Sequence, residues 1–127
     1  MDHVYYSDGN EKKISWIIET GTARVDQVRT HIDDYYEKIT VEQSKYVALH
    51  VGIFWGIGRF IIKNGDTIGI MLDLRSMFEY LAENKQANDP FVNSRGRFIK
   101  QLTDQRKLTV RYHLVEHSSN KAAALLL

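Results

Sequence analysis

Apolar and polar residues are distributed along the chain in a pattern that predicts a mixed α/β structure. Residues 67–74 form a nearly continuous apolar run that contains one carboxylate, Asp73, close to its end. Such a run is typical of a strand buried on both faces of a sheet, and the following residues 75–84 predict a helix. Asp73 is therefore expected at the carboxyl end of a buried strand, where open α/β sheets bind ligands. The alternative is that Asp73 only caps this helix or pairs with Arg75.

Three strands are predicted before that run. Residues 4–6 give a short strand signal that stops at the turn cluster 7–10, which places a second carboxylate, Asp8, at a strand end. Residues 13–20 are rich in β-branched and aromatic side chains, and residues 23–32 alternate in period two. Three successive antiparallel strands are expected.

A long helix should join these strands to the run at 67–74. Thr40 is a good amino-terminal cap for a helix over 41–63, whose apolar positions cover more than one face. Gly52 and Gly56 leave a smooth strip on which another backbone could pack closely. Later residues predict three further elements, namely a helix over 91–107, an alternating strand over 108–116 and a short helix over 121–127.

Composition narrows the class of protein. The 127 residues are enough for one domain, spanning 1–127, and the formal net charge of +1 gives no strong overall attraction to nucleic acid. Without cysteine there are no disulfides or thiolate metal ligands, which fits a reducing cytoplasm. The start of the chain does not read as a signal peptide, and no run reaches the ~20 apolar residues of a membrane span. A cytoplasmic monomer is expected.

Most common catalytic motifs are missing. The five histidines lack zinc-ligand spacing, no serine lies in a nucleophile elbow, and the glycines of 52–58 lie inside a predicted helix rather than in a phosphate-binding loop. The predicted helix over 91–107 carries several arginines and lysines, which would suit a phosphate backbone. Because acidic residues flank it, a mixed solvated face is the simpler interpretation.

The order of these elements resembles the ribonuclease H family, with a five-stranded mixed sheet that begins with three antiparallel strands. The resemblance covers nearly the whole chain. It depends on four short motifs in the right order and spacing: Tyr6-Ser7-Asp8-Gly9, Tyr46-Val47-Ala48-Leu49, Leu72-Asp73-Leu74-Arg75 and His117-Ser118-Ser119-Asn120-Lys121-Ala122-Ala123.

The resemblance implies a two-metal site. In active members of the family four carboxylates hold two Mg²⁺ ions, one to activate water and one to stabilise the leaving oxygen. Asp8 and Asp73 match two of these positions, while the other two fall on Lys45 and Ala124. An ammonium at position 45 would repel a metal ion, and it could also partly replace the metal's charge.

Other family roles carry over to individual residues. Glu42 lies three residues before Lys45 on the same helix face and is a candidate displaced metal ligand, although a glutamate in a first helical turn also suits the helix dipole. His117 matches the histidine that assists near the scissile phosphate. Substrate contacts are expected from residues beside these motifs: Gly9, Asn10, Gln43 and Asn120.

Two functions remain open from the sequence. The first is a nuclease for RNA–DNA hybrids that uses Mg²⁺ or Mn²⁺, with Asp8, Asp73 and Glu42 as metal ligands and His117 assisting. The second is a catalytically inactive module of the same fold that binds nucleic acid or protein. The residues at positions 45 and 124 favour impaired hydrolysis.

Overall fold

One five-stranded sheet forms the centre of the computed structural model, which describes residues 1–127. The strand order is β3-β2-β1-β4-β5, in which β1 to β3 are antiparallel while β4 and β5 run parallel to β1. The predicted ribonuclease H-like topology is therefore confirmed. The strands are β1 Asp2–Gly9, β2 Lys13–Thr20, β3 Ala23–Thr30, β4 Thr67–Leu72 and β5 Thr109–Leu114.

Three α-helices accompany the sheet. They are α1 Val41–Gly58, α2 Arg75–Glu83 and α3 Pro90–Gln105. Thr40 caps α1 as predicted, because its hydroxyl accepts from the Gln43 N–H at 3.1 Å while the Gln43 side chain accepts from the Thr40 N–H at 3.0 Å. None of the helices combines the length and apolar character that crossing a bilayer requires.

The sequence placed the end of α1 too late. The helix stops at Gly58 rather than at Lys63, because Phe60 takes a left-handed backbone conformation (φ 61°) that ends the helical path. The chain then folds back, and Ile62 packs against Gly56 as part of the core. The apolar pattern of the sequence therefore continues past the end of α1, because Ile62 is buried although it lies in the turn after the helix.

Other boundaries differ at the ends of elements. β1 extends from Asp2 to Gly9, so Asp8 lies within the strand rather than in a turn. Ser7 and Asp8 are buried although they are polar, which is why their composition looked like a turn. The last residues form a 3₁₀ helix over Lys121–Leu126, not an α-helix, and a shorter 3₁₀ turn precedes it at His117–Ser119.

Strand register brings the two predicted carboxylates together. β1 and β4 are parallel neighbours, and Tyr6 lies opposite Met71. Asp8 is two residues beyond Tyr6, and Asp73 is two residues beyond Met71. Both carboxylates therefore lie at the same level, where two adjacent parallel strands end.

The inner face of α1 packs directly on the sheet through its glycines. A Cβ at Gly52 would lie 2.8 Å from Trp16 Cγ and 2.9 Å from Tyr5 Cζ, both in fully buried side chains. The Tyr5 hydroxyl donates to the Ala48 carbonyl at 2.7 Å. The predicted close approach is confirmed, but sheet side chains rather than a backbone fill the strip. Trp16 lies in the core as expected, whereas Trp55 is only partly buried.

We expect Gly52→Ala to lower the free energy of unfolding by about 1–3 kcal/mol, because the added methyl group forces the buried Tyr5 and Trp16 side chains to move. Gly58→Ala is the matched control, since nothing lies within 4 Å of a Cβ there. That variant should be neutral or more stable by up to ~1 kcal/mol. Urea denaturation of both variants is the measurement, and equal stabilities would show that α1 does not depend on this close packing.

Candidate functional site

Three charged side chains meet where β1 and β4 end. The Lys45 ammonium donates to Asp8 Oδ1 at 2.7 Å and to Asp73 Oδ1 at 2.9 Å. All three side chains are largely buried, with exposed fractions of 13% for Lys45, 6% for Asp8 and 4% for Asp73. We call these residues the charge triad. The ammonium bridges the two carboxylates and lies in the space between them.

Close packing of α1 against β1 places Lys45 there. Gly9 follows Asp8 at the end of β1, and a Cβ at Gly9 would lie 2.7 Å from the Ser44 carbonyl oxygen. Only a glycine lets the first turns of α1 come this near to the strand. Lys45 follows Ser44 in the helix, so its side chain extends over the end of the sheet to Asp8 and Asp73.

The protonation states follow from this geometry. Burial opposes the charged form of Lys45, but the hydrogen bonds that its ammonium donates to both carboxylates, together with their negative charges, outweigh burial and raise the pKa of Lys45. Burial also opposes ionisation of Asp73, yet hydrogen bonds from Asn120, Lys45 and His117 lower the pKa of Asp73 overall. At neutral pH Lys45 is therefore an ammonium and Asp73 a carboxylate.

His117 and Asn120 form the other two side-chain hydrogen bonds to Asp73. His117 Nδ1 lies 2.6 Å from Asp73 Oδ2, and because a carboxylate only accepts, Nδ1 carries the hydrogen. The His117 side chain is 67% exposed, so its Nε2 faces solvent. The Asn120 amide donates to Asp73 Oδ2 at 3.0 Å and to the Ser7 carbonyl at 2.9 Å. Asn120 thus ties the end of the chain to β1 and to the triad.

Both polar atoms of the Asn120 side-chain amide form hydrogen bonds within the protein. Asn120 is 3% exposed, and its Oδ1 accepts from the Ala122 N–H at 3.1 Å. Its geometry is that of a positioning residue, which leaves no polar atom free for a substrate. The sequence placed Asn120 near the site but gave no signal for this role, because a buried asparagine in a polar segment looks like any loop residue.

The side chains of the remaining predicted site residues form hydrogen bonds to groups outside the triad. Glu42 Oε2 accepts from the Ser76 hydroxyl at 3.1 Å, so this carboxylate connects α1 to α2. Gln43 donates to Asp89 Oδ2 at 2.8 Å. Asn10 uses its side-chain oxygen to accept two backbone N–H groups in the β1–β2 turn.

These residues fit a metal centre poorly. One ligand atom each from Asp8, Asp73 and His117 lie within 4.8 Å of one another, which alone would suit a divalent cation. The Lys45 ammonium, however, already binds both carboxylates, and a second cation between them would be repelled. Ala124 is exposed and has no ligand atom to offer. The two carboxylates therefore form a cation-binding site that the ammonium of Lys45 occupies.

Solved structures of ribonucleases H resemble this chain. RNase H1 from the halophilic archaeon Halobacterium salinarum has a TM-score of 0.76 at 17% identity, covering 98% of this chain and 94% of that one. The N-terminal RNase H domain of Rv2228c from Mycobacterium tuberculosis gives 0.74 at 14% identity over 98% and 89%. LC11-RNase H1 in complex with an RNA/DNA hybrid gives 0.69 at 12% identity over 97% and 92%.

No family model and no curated protein matches the sequence. At these sequence identities the structural similarity establishes the fold alone, and any activity has to be argued from the residues of the site. The ribonuclease H-like fold expected from the order of elements is confirmed over nearly the whole chain.

We expect Lys45→Met to lower the free energy of unfolding by about 3 kcal/mol at neutral pH, because it leaves Asp8 and Asp73 as two buried carboxylates without a counter-charge. Because the pKa of Lys45 is raised and the pKa of Asp73 is lowered, the Lys45–Asp73 ion pair stays charged through neutral pH and is lost only well into the acid or the alkaline range. The difference between the proteins should shrink in acid, as protonation removes the repulsion in the variant.

Lys85→Met is the matched control for this pH-dependent denaturation experiment. Lys85 pairs with Glu79 at 2.9 Å, but its side chain is 62% exposed. Its loss should leave the stability nearly unchanged, because solvent screens an exposed ion pair. A Lys45 variant that behaves like the Lys85 variant at every pH would contradict the charge-compensation account of the site.

Proposed function

We propose that this protein binds RNA–DNA hybrids at the charge triad without hydrolysing them in a metal-dependent way. The observation that carries the proposal is the Lys45 ammonium, bonded to both carboxylates at 2.7 and 2.9 Å. The ribonuclease H-like fold supports the choice of ligand, since a solved structure of the same fold holds an RNA/DNA hybrid.

The Lys45 ammonium weakens the electrostatic repulsion between the two carboxylates and an approaching phosphate without any added metal. Two bare carboxylates would present a charge of −2 to an approaching phosphodiester, whereas the triad with Lys45 sums to −1. Protonation of the exposed imidazole of His117 would bring the local sum to zero. The internal ammonium therefore removes much of the repulsion that a metal ion removes in a two-metal site.

Hydrolysis needs groups that the triad does not supply. A two-metal mechanism uses one cation to activate water and another to stabilise the leaving oxygen. Lys45 is a single ammonium, which cannot coordinate and polarise a water molecule as a metal ion does, and Ala124 offers no ligand for a second cation. On this proposal the imidazolium form of His117 donates from Nε2 to bound phosphate, while its Nδ1 stays on Asp73, and the residue serves binding.

We expect the wild-type protein to bind an RNA–DNA hybrid equally well with Mg²⁺ and with EDTA, and to leave the RNA strand intact in both. Fluorescence anisotropy with a labelled hybrid and a denaturing gel of the same samples are the measurements. Mg²⁺-dependent cleavage would show an active hydrolase instead. If hybrid binding requires Mg²⁺, or if no hybrid binds, the proposal fails.

A gain-of-function variant tests the role assigned to Lys45. We expect Lys45→Glu combined with Ala124→Asp to acquire Mg²⁺ binding, because it replaces the internal cation with ligands for an external one. The first readout is a rise in melting temperature on addition of Mg²⁺, which the wild type should not show. The second is Mg²⁺-dependent cleavage of the hybrid.

Ala124→Asp alone is the control, because it keeps the Lys45 ammonium in place. Metal binding by this single variant would mean that Lys45 does not block the site. A double variant that folds, as shown by circular dichroism, but gains no stability from Mg²⁺ would overturn the view that the triad is a converted cation site.

A protein-interaction role is the second candidate. Three phenylalanines are strongly exposed: Phe54 at 62%, Phe60 at 81% and Phe98 at 48%. Exposed aromatic side chains of this kind are enriched at protein interfaces. This candidate gains weight if the hybrid assay is negative while the protein self-associates or is retained by a partner through these side chains.

A further inference from the structure

A cavity of about 350 Å³ lies between β3, α1 and α3, and it shares no residue with the charge triad. Its volume is within the range of about 300–1,000 Å³ that small-molecule sites occupy. The apolar part of its lining includes Ile14, Ile32, Val47 and Val51, and the polar part includes two arginines. We call it the arginine pocket.

Arg95 is held in a fixed orientation on one side of the arginine pocket. Its Nη2 donates to the Tyr35 hydroxyl at 2.9 Å, and its Nη1 donates to His50 Nδ1 at 3.1 Å. The guanidinium also lies 5.9 Å from the Tyr35 ring centre and 5.4 Å from that of Phe91. A guanidinium has five N–H donors, so three remain for a ligand without further ordering of the side chain.

Arg29 contributes the second guanidinium. It is bonded only to the neutral Gln27 side chain, at 3.2 and 3.4 Å. The ion pairs of the chain involve neither Arg29 nor Arg95. Burial, and after it the positive charge of Arg95, lowers the pKa of His50, which is consistent with an Arg95 charge that no carboxylate offsets.

Neutral groups of the arginine pocket add hydrogen-bonding capacity. Because Arg95 donates to the Tyr35 oxygen, the phenolic hydrogen of Tyr35 is free to donate to a ligand. His31 Nε2 lies 3.0 Å from the Asn10 carbonyl, so Nε2 carries the hydrogen and Nδ1 is an acceptor. Burial lowers the pKa of His31, which keeps this ring neutral at physiological pH.

We infer that the arginine pocket binds a phosphomonoester of mononucleotide size, with its phosphate on Arg29, Arg95 and the Tyr35 hydroxyl and its organic part against Val47 and Val51. The charges match, because two unpaired guanidinium groups face a group that carries about −1.5 to −2 at pH 7. Arginine also binds phosphate oxygens in bidentate fashion. The organic part of the ligand would cover the apolar lining of the pocket, which inorganic phosphate is too small to contact.

The test is isothermal titration calorimetry of the full chain with adenosine 5′-monophosphate, inorganic phosphate and adenosine. We expect saturable binding of the monophosphate, weaker binding of inorganic phosphate and no binding of adenosine. Arg95→Gln and Arg29→Gln should each weaken monophosphate binding by about tenfold or more, because each removes a charge-assisted contact. Arg111→Gln, on the exposed side of β5, is the matched control and should bind as the wild type does.

Three results with the small ligands would overturn the inference. These are no saturable binding of the monophosphate, adenosine binding as tightly as the monophosphate, or equal affinity in the Arg29, Arg95 and Arg111 variants. A 5′-phosphorylated oligonucleotide is added to find the source of the phosphate. If it binds more tightly than the monophosphate, and Arg95→Gln weakens it equally, the pocket serves a nucleic-acid end and the mononucleotide assignment is wrong.

Discussion

The contact of the Lys45 ammonium with Asp8 and Asp73 is the interaction on which the site depends. Parallel pairing of β1 and β4 forces the two carboxylates to the same level at the end of the sheet. Two buried carboxylates that lie this close, both within hydrogen-bond distance of one ammonium, repel each other strongly unless a cation lies between them. The protein supplies that cation from α1, so the helix, the sheet and the site are linked by one group of ion pairs.

The fold could be predicted from the sequence because most of its elements have simple patterns. The apolar run of β4, the alternation in β5 and the Thr40 cap of α1 each indicate local structure without knowledge of the rest. The end of α1 was misplaced because Ile62 is buried after the helix has stopped, and burial rather than helical geometry determines the apolar pattern. Periodicity therefore identified the element but not its last turn.

The site was only partly predictable. Asp8, Asp73 and His117 were identified and lie together, and Lys45 was identified as the residue that departs from a metal site. The internal use of Asn120 and the pairing of Glu42 with Ser76 depend on contacts across 47 and 34 residues of chain, which no local pattern reveals. The arginine pocket was even less predictable from the sequence, because the residues that line it, Arg29, Tyr35 and Arg95, come from three separate segments of the chain.

A tethered ammonium differs from a bound metal ion in more than charge. A metal ion dissociates, and its site is complete only at sufficient metal concentration, whereas Lys45 is present at every concentration and is lost only by deprotonation or mutation. Its charge is also fixed in strength and geometry, so it can neutralise carboxylates but cannot polarise water as a Lewis acid does. The proposed preference for binding over hydrolysis therefore depends on the same contact that keeps the two carboxylates compatible with the fold.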